Sequence, residues 1–213
     1  MLASVPNRVP QLTLITDTTR FSGESFFSAV QQALLGGVDA VLVREKQLTS
    51  AKLLALASRL RQMTHDARAR LIIHSQVDVA CAVDADGIHL ASAEIQSIPA
   101  VRQWLADTNK TVSVSCHNSG ELIQASELDA DYAMLSPVFA TASHPGAVPL
   151  GLEAFRALAS AATLPVIALG GIGTDSCKLL QGMKLAVIGA VLGAEDPCWV
   201  AQQLLAASRG EAG

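Results

Sequence analysis

Short apolar runs alternate with longer amphipathic segments along the whole chain. The runs are only a few residues long and almost continuously apolar, as expected for strands that are buried on both faces of a parallel sheet. Eight strands are predicted in this way: Leu12–Asp17, Asp39–Arg44, Arg70–His74, Gly87–Leu90, Thr111–Cys116, Tyr132–Ser136, Leu164–Leu169 and Leu185–Gly189.

The segments between the strands have the period of amphipathic helices. In Ser50–Ala67, for example, Leu53, Ala57 and Leu60 form one apolar stripe, whereas Lys52 points elsewhere. Further helices are predicted over Glu24–Leu35, Gln76–Val83, Glu121–Leu128 and Leu152–Ala162.

The repetition of strand and helix predicts an α/β fold, and eight units fit a single closed (β/α)8 TIM barrel almost without remainder. An open doubly wound sheet has the same repeat, but no GxGxxG motif follows the first predicted strand, which runs into Thr18-Thr19-Arg20. No composition break or linker interrupts the chain. We therefore expect one domain over residues 1–213, with an N-terminal extension at 1–11 and a core at about 12–208.

Composition narrows the class of partner. Half of the residues are apolar, 16% are charged and the mean hydropathy is +0.37, which excludes a disordered chain. The net charge of −4 argues against a nucleic-acid or membrane surface, so an anionic ligand needs a local site. Neither a signal peptide nor an apolar run of about 18 residues is evident, which predicts a cytoplasmic protein. The sequence leaves the oligomeric state open.

In a (β/α)8 barrel the carboxyl ends of the strands form the catalytic face. Cations, histidines, hydroxyl groups and glycines are predicted to meet there, a combination that suits a phosphorylated small molecule. The candidates are Arg44, Lys46, His74, Ser75, His89, Glu94, Ser115, His117, Thr141, Ser143, His144, Gly170, Gly171 and Gly189.

The sharpest local pattern is Ala168-Leu169-Gly170-Gly171-Ile172-Gly173, followed by Thr174-Asp175 at a predicted helix start. Glycine lets backbone amides approach a phosphate closely, and a helix start offers unpaired N–H donors. Gly189 lies in the loop after the last strand, and phosphate sites after strands seven and eight recur in this fold. The alternative is that these glycines only make tight turns.

Two further interpretations concern side chains. Arg44 and Lys46 close the second strand and are predicted to clamp an anionic group; the alternative is that they are solvated or paired with Glu45. His117 follows the fifth strand, where a histidine can move protons near neutral pH. The alternative is a hydrogen-bonded histidine without a chemical role.

A set of short motifs is spread along the chain. They are Leu14-Ile15-Thr16-Asp17, Gly37-Val38-Asp39-Ala40-Val41, Arg44-Glu45-Lys46, Val77-Asp78-Val79-Ala80, Ala85-Asp86-Gly87-Ile88-His89-Leu90, Asp131-Tyr132, Pro137-Val138-Phe139, Pro145-Gly146-Ala147, Pro149-Leu150-Gly151-Leu152-Glu153 and Ala168-Leu169-Gly170-Gly171-Ile172. Together these stretches resemble the thiamine phosphate synthase and TenI family from about Leu12 to Trp199. The resemblance implies a TIM barrel of thiamine biosynthesis that binds small phosphorylated thiazole or pyrimidine ligands.

The resemblance also implies two half-sites. Synthase members join a pyrimidine-methyl diphosphate to a thiazole phosphate with help from Mg²⁺. In their diphosphate half, a Gln-x-Arg-Glu-Lys strand end, an Asn-Asp pair and a Pro-Thr-x-Thr-Lys loop are typical. This chain has Leu42 for the Gln, His74-Ser75 for Asn-Asp and Ala140-Thr141-Ala142-Ser143-His144 for the loop, while Glu94 matches a second metal-binding Asp.

The thiazole-phosphate half is better preserved, although Gly189 replaces a common Ser. Some TenI members aromatise thiazole phosphate with a histidine at the position of His117, and this reaction needs no cofactor. We therefore keep three hypotheses: a thiazole tautomerase that uses His117, a divergent Mg²⁺-dependent synthase that binds diphosphate at Arg44, Lys46, Thr141, Ser143 and His144, or a non-catalytic phosphate-ligand-binding module. His74, Ser75, His89 and Ser115 are predicted to complete the pocket.

The stretches His89-Leu90-Ala91-Ser92 and Ser115-Cys116-His117 most resemble TenI-type modules fused behind Nudix hydrolase domains. A Nudix-type hydrolase is therefore a candidate partner.

Overall fold

Eight parallel strands close into one barrel in chain order, with β1 paired to β8. The computed structural model describes residues 9–141 and 146–211. The strands are β1 Leu12–Ile15, β2 Ala40–Val43, β3 Arg70–His74, β4 Gly87–Leu90, β5 Thr111–Cys116, β6 Tyr132–Leu135, β7 Val166–Leu169 and β8 Lys184–Val187. The predicted (β/α)8 barrel is confirmed.

Helices follow the strands around the outside of the barrel. The α-helices are α1 Gly23–Leu35, α2 Ser50–Asp66, α3 Val77–Ala82, α4 Ile98–Leu105, α5 Ser119–Glu127, α6 Leu152–Ala161, α7 Gly189–Leu192 and α8 Pro197–Arg209. Two 3-10 helices cover Ser92–Ser97 and Ser176–Leu180. The segment after β7 is thus a single tight turn of 3-10 helix, where the sequence predicted an ordinary helix start.

Some strands are shorter at their carboxyl ends than predicted. Asp17, Arg44 and Ser136 lie just beyond the strands, in the loops that follow them. The backbone leaves the ladder here because polar groups replace strand partners: the amide of Arg44, for instance, donates to the Thr16 hydroxyl at 3.1 Å. Gly189 likewise lies beyond β8, where it begins the four-residue α7.

Two apolar clusters hold the fold together. One lies between the strands and the helices, and the other fills the barrel interior with side chains such as Ile15, Leu42, Ile72 and Met134. Val9 belongs to the interior cluster, so the end of the predicted extension 1–11 packs into the barrel. Because the interior is filled, ligands have to bind at the ends of the strands.

The amino-terminal ends of the strands are fastened by acidic side chains. Asp39 accepts from the amides of Gln11 and Leu12, both at 2.9 Å. Asp86 accepts from the amide of Leu71 at 2.8 Å and from the guanidinium of Arg61 at 2.6 Å. Both carboxylates are therefore occupied by structural hydrogen bonds. The candidate functional face is the opposite end of the barrel, at the carboxyl ends of the strands. Among the described residues, none of the helices is long and apolar enough to span a membrane.

Candidate active site at the barrel mouth

His117, directly after β5, has a defined tautomer. Its Nδ1 atom lies 2.8 Å from the carbonyl oxygen of Ser136, which can only accept a hydrogen bond. Nδ1 therefore carries the proton, and Nε2 of the neutral ring is left as the basic nitrogen. The backbone is held as well, because the His117 amide donates to Glu121 Oε2 at 2.7 Å. The side chain is exposed and lines a cavity of about 150 Å³. We call this the His117 cavity.

A second cavity of about 190 Å³ opens between the loops after β7 and β8. We call it the glycine cavity, because Gly170, Gly171 and Gly189 line it together with Ile188. Within the described residues, the amides of these three glycines donate no hydrogen bond to a loop or side-chain acceptor. Unpaired N–H groups around a cavity favour an anionic ligand. The predicted phosphate-binding glycines are thus brought together in one place.

The glycines are required for different reasons. Gly170 has φ +104° and Gly171 has φ +66°, the left-handed region that favours glycine. A methyl group on Gly170 would lie 2.8 Å from Pro137, and one on Gly171 would overlap the carbonyl oxygen of Ala140. The loop after β6 occupies the space that side chains at positions 170 and 171 would need. Glycine is therefore required at these two positions partly for packing, which is the reason that the tight-turn alternative gave. Gly189 has no such neighbour within 3.4 Å.

The His117 and glycine cavities adjoin each other, because part of their lining is shared. Thr141, Leu169, Gly170 and Ile188 line both of them. A ligand whose phosphate binds among the glycines can therefore place its other end against His117. The adjacency of these two cavities is the main geometric feature of the barrel mouth, the face formed by the carboxyl ends of the strands and the loops that follow them.

Arg20 is a site residue that the sequence analysis did not select. It lies in the loop after β1 and lines the glycine cavity. A single arginine in a polar loop gives no signal in the sequence that separates it from a solvated charge. Its place becomes evident only when closure of the barrel brings β1 beside β8.

Arg44 and Lys46 lie at the mouth on the β2 side. Arg44 is half-buried and lines the His117 cavity, and Lys46 lines a separate cavity of about 390 Å³ with His74, Ser75 and Glu94. We call the latter the Lys46 cavity. Glu45 also lines it but is buried, and its carboxylate accepts from the amide and hydroxyl of Thr18 and from Gln47.

A chain of hydrogen bonds crosses the Lys46 cavity. The Ser75 hydroxyl lies 2.5 Å from Glu94 Oε2 and 3.0 Å from His74 Nδ1. An ionised carboxylate can only accept, so Ser75 donates to Glu94 and accepts from His74 Nδ1–H. Burial, followed by the charges of Arg44 and Lys46, lowers the pKa of His74 to about 4 against a smaller opposing effect of Glu94. His74 is consequently neutral at pH 7.

The Lys46 cavity offers few carboxylate oxygens to Mg²⁺, which the family's synthase members use. Magnesium needs several hard oxygen ligands in near-octahedral geometry. Glu94 Oε2 accepts from Ser75 and from the Ala91 amide, the latter at 2.8 Å. The other carboxylate of the cavity, Glu45, is bonded to Thr18 and Gln47 through both of its oxygens. No group of three or more His, Cys, Asp or Glu among residues 9–141 and 146–211 is arranged to hold a metal. Glu94 accepts hydrogen bonds at Oε2, and its weak metal-ligand role stays a prediction.

His89 and Ser115 were predicted as pocket residues, and the structure places His89 inside the barrel. It is only 2% exposed and bridges two hydroxyls, Ser113 and Ser115, each at 2.9 Å. Burial, then His74 and Arg44, lowers the pKa of His89 to about 3. With both ring nitrogens bonded, His89 holds Ser115 in place and does not face the mouth.

The loop after β6 is described only in part. Thr141 lines both the glycine cavity and the His117 cavity, and its role as an anion-binding residue stays a prediction. Ser143 and His144, the other two candidates in this loop, lie outside the described residues. Their predicted role in diphosphate binding stays a prediction.

The fold and the adjoining cavities define a (β/α)8 barrel with two small cavities at the carboxyl ends of its strands. A profile of the thiamine monophosphate synthase family matches residues 12–193, so the chain belongs to this family of enzymes. It is 34% identical over 200 residues to the thiamine-phosphate synthase of Chloroflexus aurantiacus, covering 92% of this chain and 91% of that one. It is 37% identical over 171 residues to a putative thiamine-phosphate synthase 2 of Aquifex aeolicus, covering 80% and 90%.

A solved structure is similar over almost its whole length. The thiamine phosphate pyrophosphorylase from Pyrococcus furiosus superposes with a TM-score of 0.83 at 32% identity, covering 97% of this chain and 98% of that one. The family resemblance stated from the sequence is thereby confirmed. The names of these relatives favour the synthase alternative over the tautomerase.

Proposed function

We propose that the protein binds a thiazole phosphate at its mouth and isomerises it to the aromatic thiazole by proton transfer at His117. The observation that carries this proposal is the shared lining of the glycine cavity and the His117 cavity at Thr141, Leu169, Gly170 and Ile188. A tautomerase needs one phosphate anchor and one base in reach of the same ligand, and this arrangement supplies both.

The chemistry needs a nitrogen that takes a proton from one ring atom and returns it to another. His117 Nε2 is suited to this, because the bond from Nδ1–H to the Ser136 carbonyl fixes the tautomer and stabilises the imidazolium that forms. The proton count is unchanged over the cycle, so no second reactant is required. Leu169, Ile188 and Ile15 supply an apolar wall for the ring.

The second candidate is the synthase reaction, which the names of the relatives favour. It would bring a pyrimidine-methyl diphosphate to the β2 side, where Arg44 and Lys46 would bind the leaving diphosphate. Against it stands the Lys46 cavity, because Glu45 and Glu94 Oε2 are hydrogen-bonded to protein groups, which leaves few carboxylate oxygens for a metal. A family synthase without its metal site loses the main stabilisation of a departing diphosphate.

One set of assays separates the candidates. Purified protein should convert the non-aromatic thiazole phosphate to its aromatic isomer in the presence of a chelator. It should form little thiamine phosphate from the aromatic thiazole phosphate and the pyrimidine diphosphate with Mg²⁺. Efficient thiamine phosphate formation would replace the proposal by the second candidate. Tight binding of thiazole phosphate with neither reaction would favour a non-catalytic binding module.

A further inference from the structure

Three neighbouring loops meet at the glycine cavity. In the closed barrel β8 lies between β7 and β1, so Gly189 after β8 has Gly170 and Gly171 on one side and Arg20 on the other. A methyl group placed on Gly189 would lie 3.7 Å from both Nη1 and Nη2 of Arg20, and among the described residues no other atom outside its chain neighbours and its own helix comes within 4 Å. The guanidinium therefore lies close to the β8 loop at the edge of the glycine cavity.

Arg20 is held in this position by its own loop. Its Nε donates to Asp17 Oδ2 at 2.5 Å, and Thr19 donates to Asp17 Oδ1 at 2.5 Å. Burial tends to raise the pKa of the Asp17 carboxyl, but the hydrogen bonds from Thr19 and Arg20 outweigh it and keep that pKa below its ordinary value. Asp17 is therefore ionised at neutral pH, and it engages the Nε edge of the guanidinium while the Nη edge is turned towards Gly189.

We propose that Arg20 binds the phosphate group of the ligand in the glycine cavity and sets the preference for phosphorylated over unphosphorylated ligands. This inference rests on the proposed function, because it assigns a residue to the same phosphate site. The planar fork of arginine matches phosphate oxygens in two parallel hydrogen bonds. The backbone amides of the glycines supply partial charges only, whereas Arg20 supplies a full positive charge in a chain whose net charge is −4.

The glycine at position 189 agrees with this assignment. Its φ is not in the left-handed region, and a methyl group there would meet only the guanidinium at an ordinary contact distance. Neither backbone conformation nor close packing within the described residues therefore requires glycine. A side chain would, however, contact the guanidinium and restrict the approach of a phosphate to its Nη edge.

The test compares a thiazole phosphate with the corresponding unphosphorylated alcohol by calorimetry on the full chain. Arg20→Gln should weaken binding of the phosphate roughly ten- to a hundredfold, the effect of losing a charged hydrogen-bond partner, and leave binding of the alcohol unchanged. Arg20→Lys should restore part of the affinity, since it keeps the charge without the fork. Gly189→Ala should likewise weaken binding of the phosphate and leave binding of the alcohol unchanged.

Arg59→Gln is the matched control. Arg59 is also a partly exposed arginine paired with a carboxylate, Glu24, but it lies on α2 away from the mouth. This variant should bind both ligands like the wild type. If Arg20→Gln binds the phosphate as tightly as the wild type does, Arg20 is not a phosphate ligand, although the anchor of the proposed function survives. If the wild type itself does not prefer the phosphate over the alcohol, both the assignment of Arg20 and the proposed function fail.

Discussion

The Ser75 hydroxyl lies 2.5 Å from Glu94 Oε2, although the two residues are 19 positions apart in the chain. They meet because β3 and β4 are neighbours in the barrel and the loops that follow them converge. Ser75 adopts φ +59°, which is uncommon for a residue with a side chain, and its amide donates to the carbonyl oxygen of His89 at 3.0 Å. Oε2 of Glu94 is thereby held by Ser75 and by the Ala91 amide, which reduces the carboxylate oxygens open to a metal.

We predict that anion binding at the mouth does not depend on a divalent metal. Calorimetric titration with inorganic diphosphate should give the same affinity, within about threefold, in chelator and in excess Mg²⁺ after correction for the binding of Mg²⁺ to diphosphate itself. Lys46 and Arg44 supply the positive charge. A tenfold or larger gain in affinity with Mg²⁺ would contradict the prediction.

Ser75→Asp provides the matched variant for this experiment. It places a second carboxylate beside Glu94 in the Lys46 cavity, and aspartate tolerates a positive φ better than most residues do. Two facing carboxylates repel each other unless a cation lies between them. The variant should therefore acquire a dependence on Mg²⁺ that the wild type lacks.

His117→Gln should remove the proposed base without removing the phosphate site. A glutamine can keep a bond to the Ser136 carbonyl but cannot take up a proton. We expect the rate of thiazole isomerisation to fall by roughly 10²–10⁴-fold, while the affinity for thiazole phosphate changes little. Single-turnover kinetics beside calorimetry would separate the two. Isomerisation at the wild-type rate in this variant would exclude His117 as the base.

Substitution of the glycines should separate packing from ligand binding. Gly171→Ala should lower the free energy of unfolding by about 2–4 kcal/mol, because alanine is strained at φ +66° and overlaps the Ala140 carbonyl oxygen. Gly173→Ala is the control, since a methyl group there has no neighbour within 4 Å and should change stability by less than about 0.5 kcal/mol. Urea denaturation measures both. Equal stability of the two variants would contradict the close loop packing.

The sequence was sufficient for the barrel because buried parallel strands have a clear local signature. Arg70–His74, Gly87–Leu90 and Thr111–Cys116 have the predicted bounds, and errors occur mainly at ends where a polar residue leaves the ladder. The site was harder to predict, because its contacts join distant positions. Ser75 with Glu94 and Arg20 with Gly189 meet only when the strands close into a barrel, and neither pair leaves a pattern along the chain.

Burial explains a different kind of error. His89 resembles a pocket histidine in the sequence, since it lies near the end of β4, but its side chain turns inward between Ser113 and Ser115. Ser113 donates to the Ile88 carbonyl oxygen at 3.2 Å and so accepts from His89 Nδ1, which leaves Nε2 to accept from Ser115. The pattern of apolar residues predicts which positions of a strand are buried. It does not show whether a polar side chain such as His89 is buried with hydrogen-bond partners.

The buried His89 should make the stability of the fold sensitive to acid. Its pKa is about 3 in the folded protein, whereas a histidine of the unfolded chain titrates near 6.5. Above about pH 6.5 the ring is neutral in both states and costs nothing. Below that value His89 binds a proton in the unfolded chain but stays neutral in the folded protein. The free energy of unfolding should therefore fall by up to about 1.4 kcal/mol per pH unit as the pH decreases towards the folded pKa.

His89→Gln should remove this dependence, because an amide can bridge Ser113 and Ser115 without titrating. Urea denaturation between about pH 7 and about pH 4 should show a shallower loss of stability in the variant than in the wild type, with the remaining slope owed in part to His74. His65→Gln is the control, since the His65 side chain is 74% exposed on α2 and its removal should leave the slope unchanged. If His89→Gln retains the full slope of the wild type, the acid sensitivity does not originate in the barrel interior.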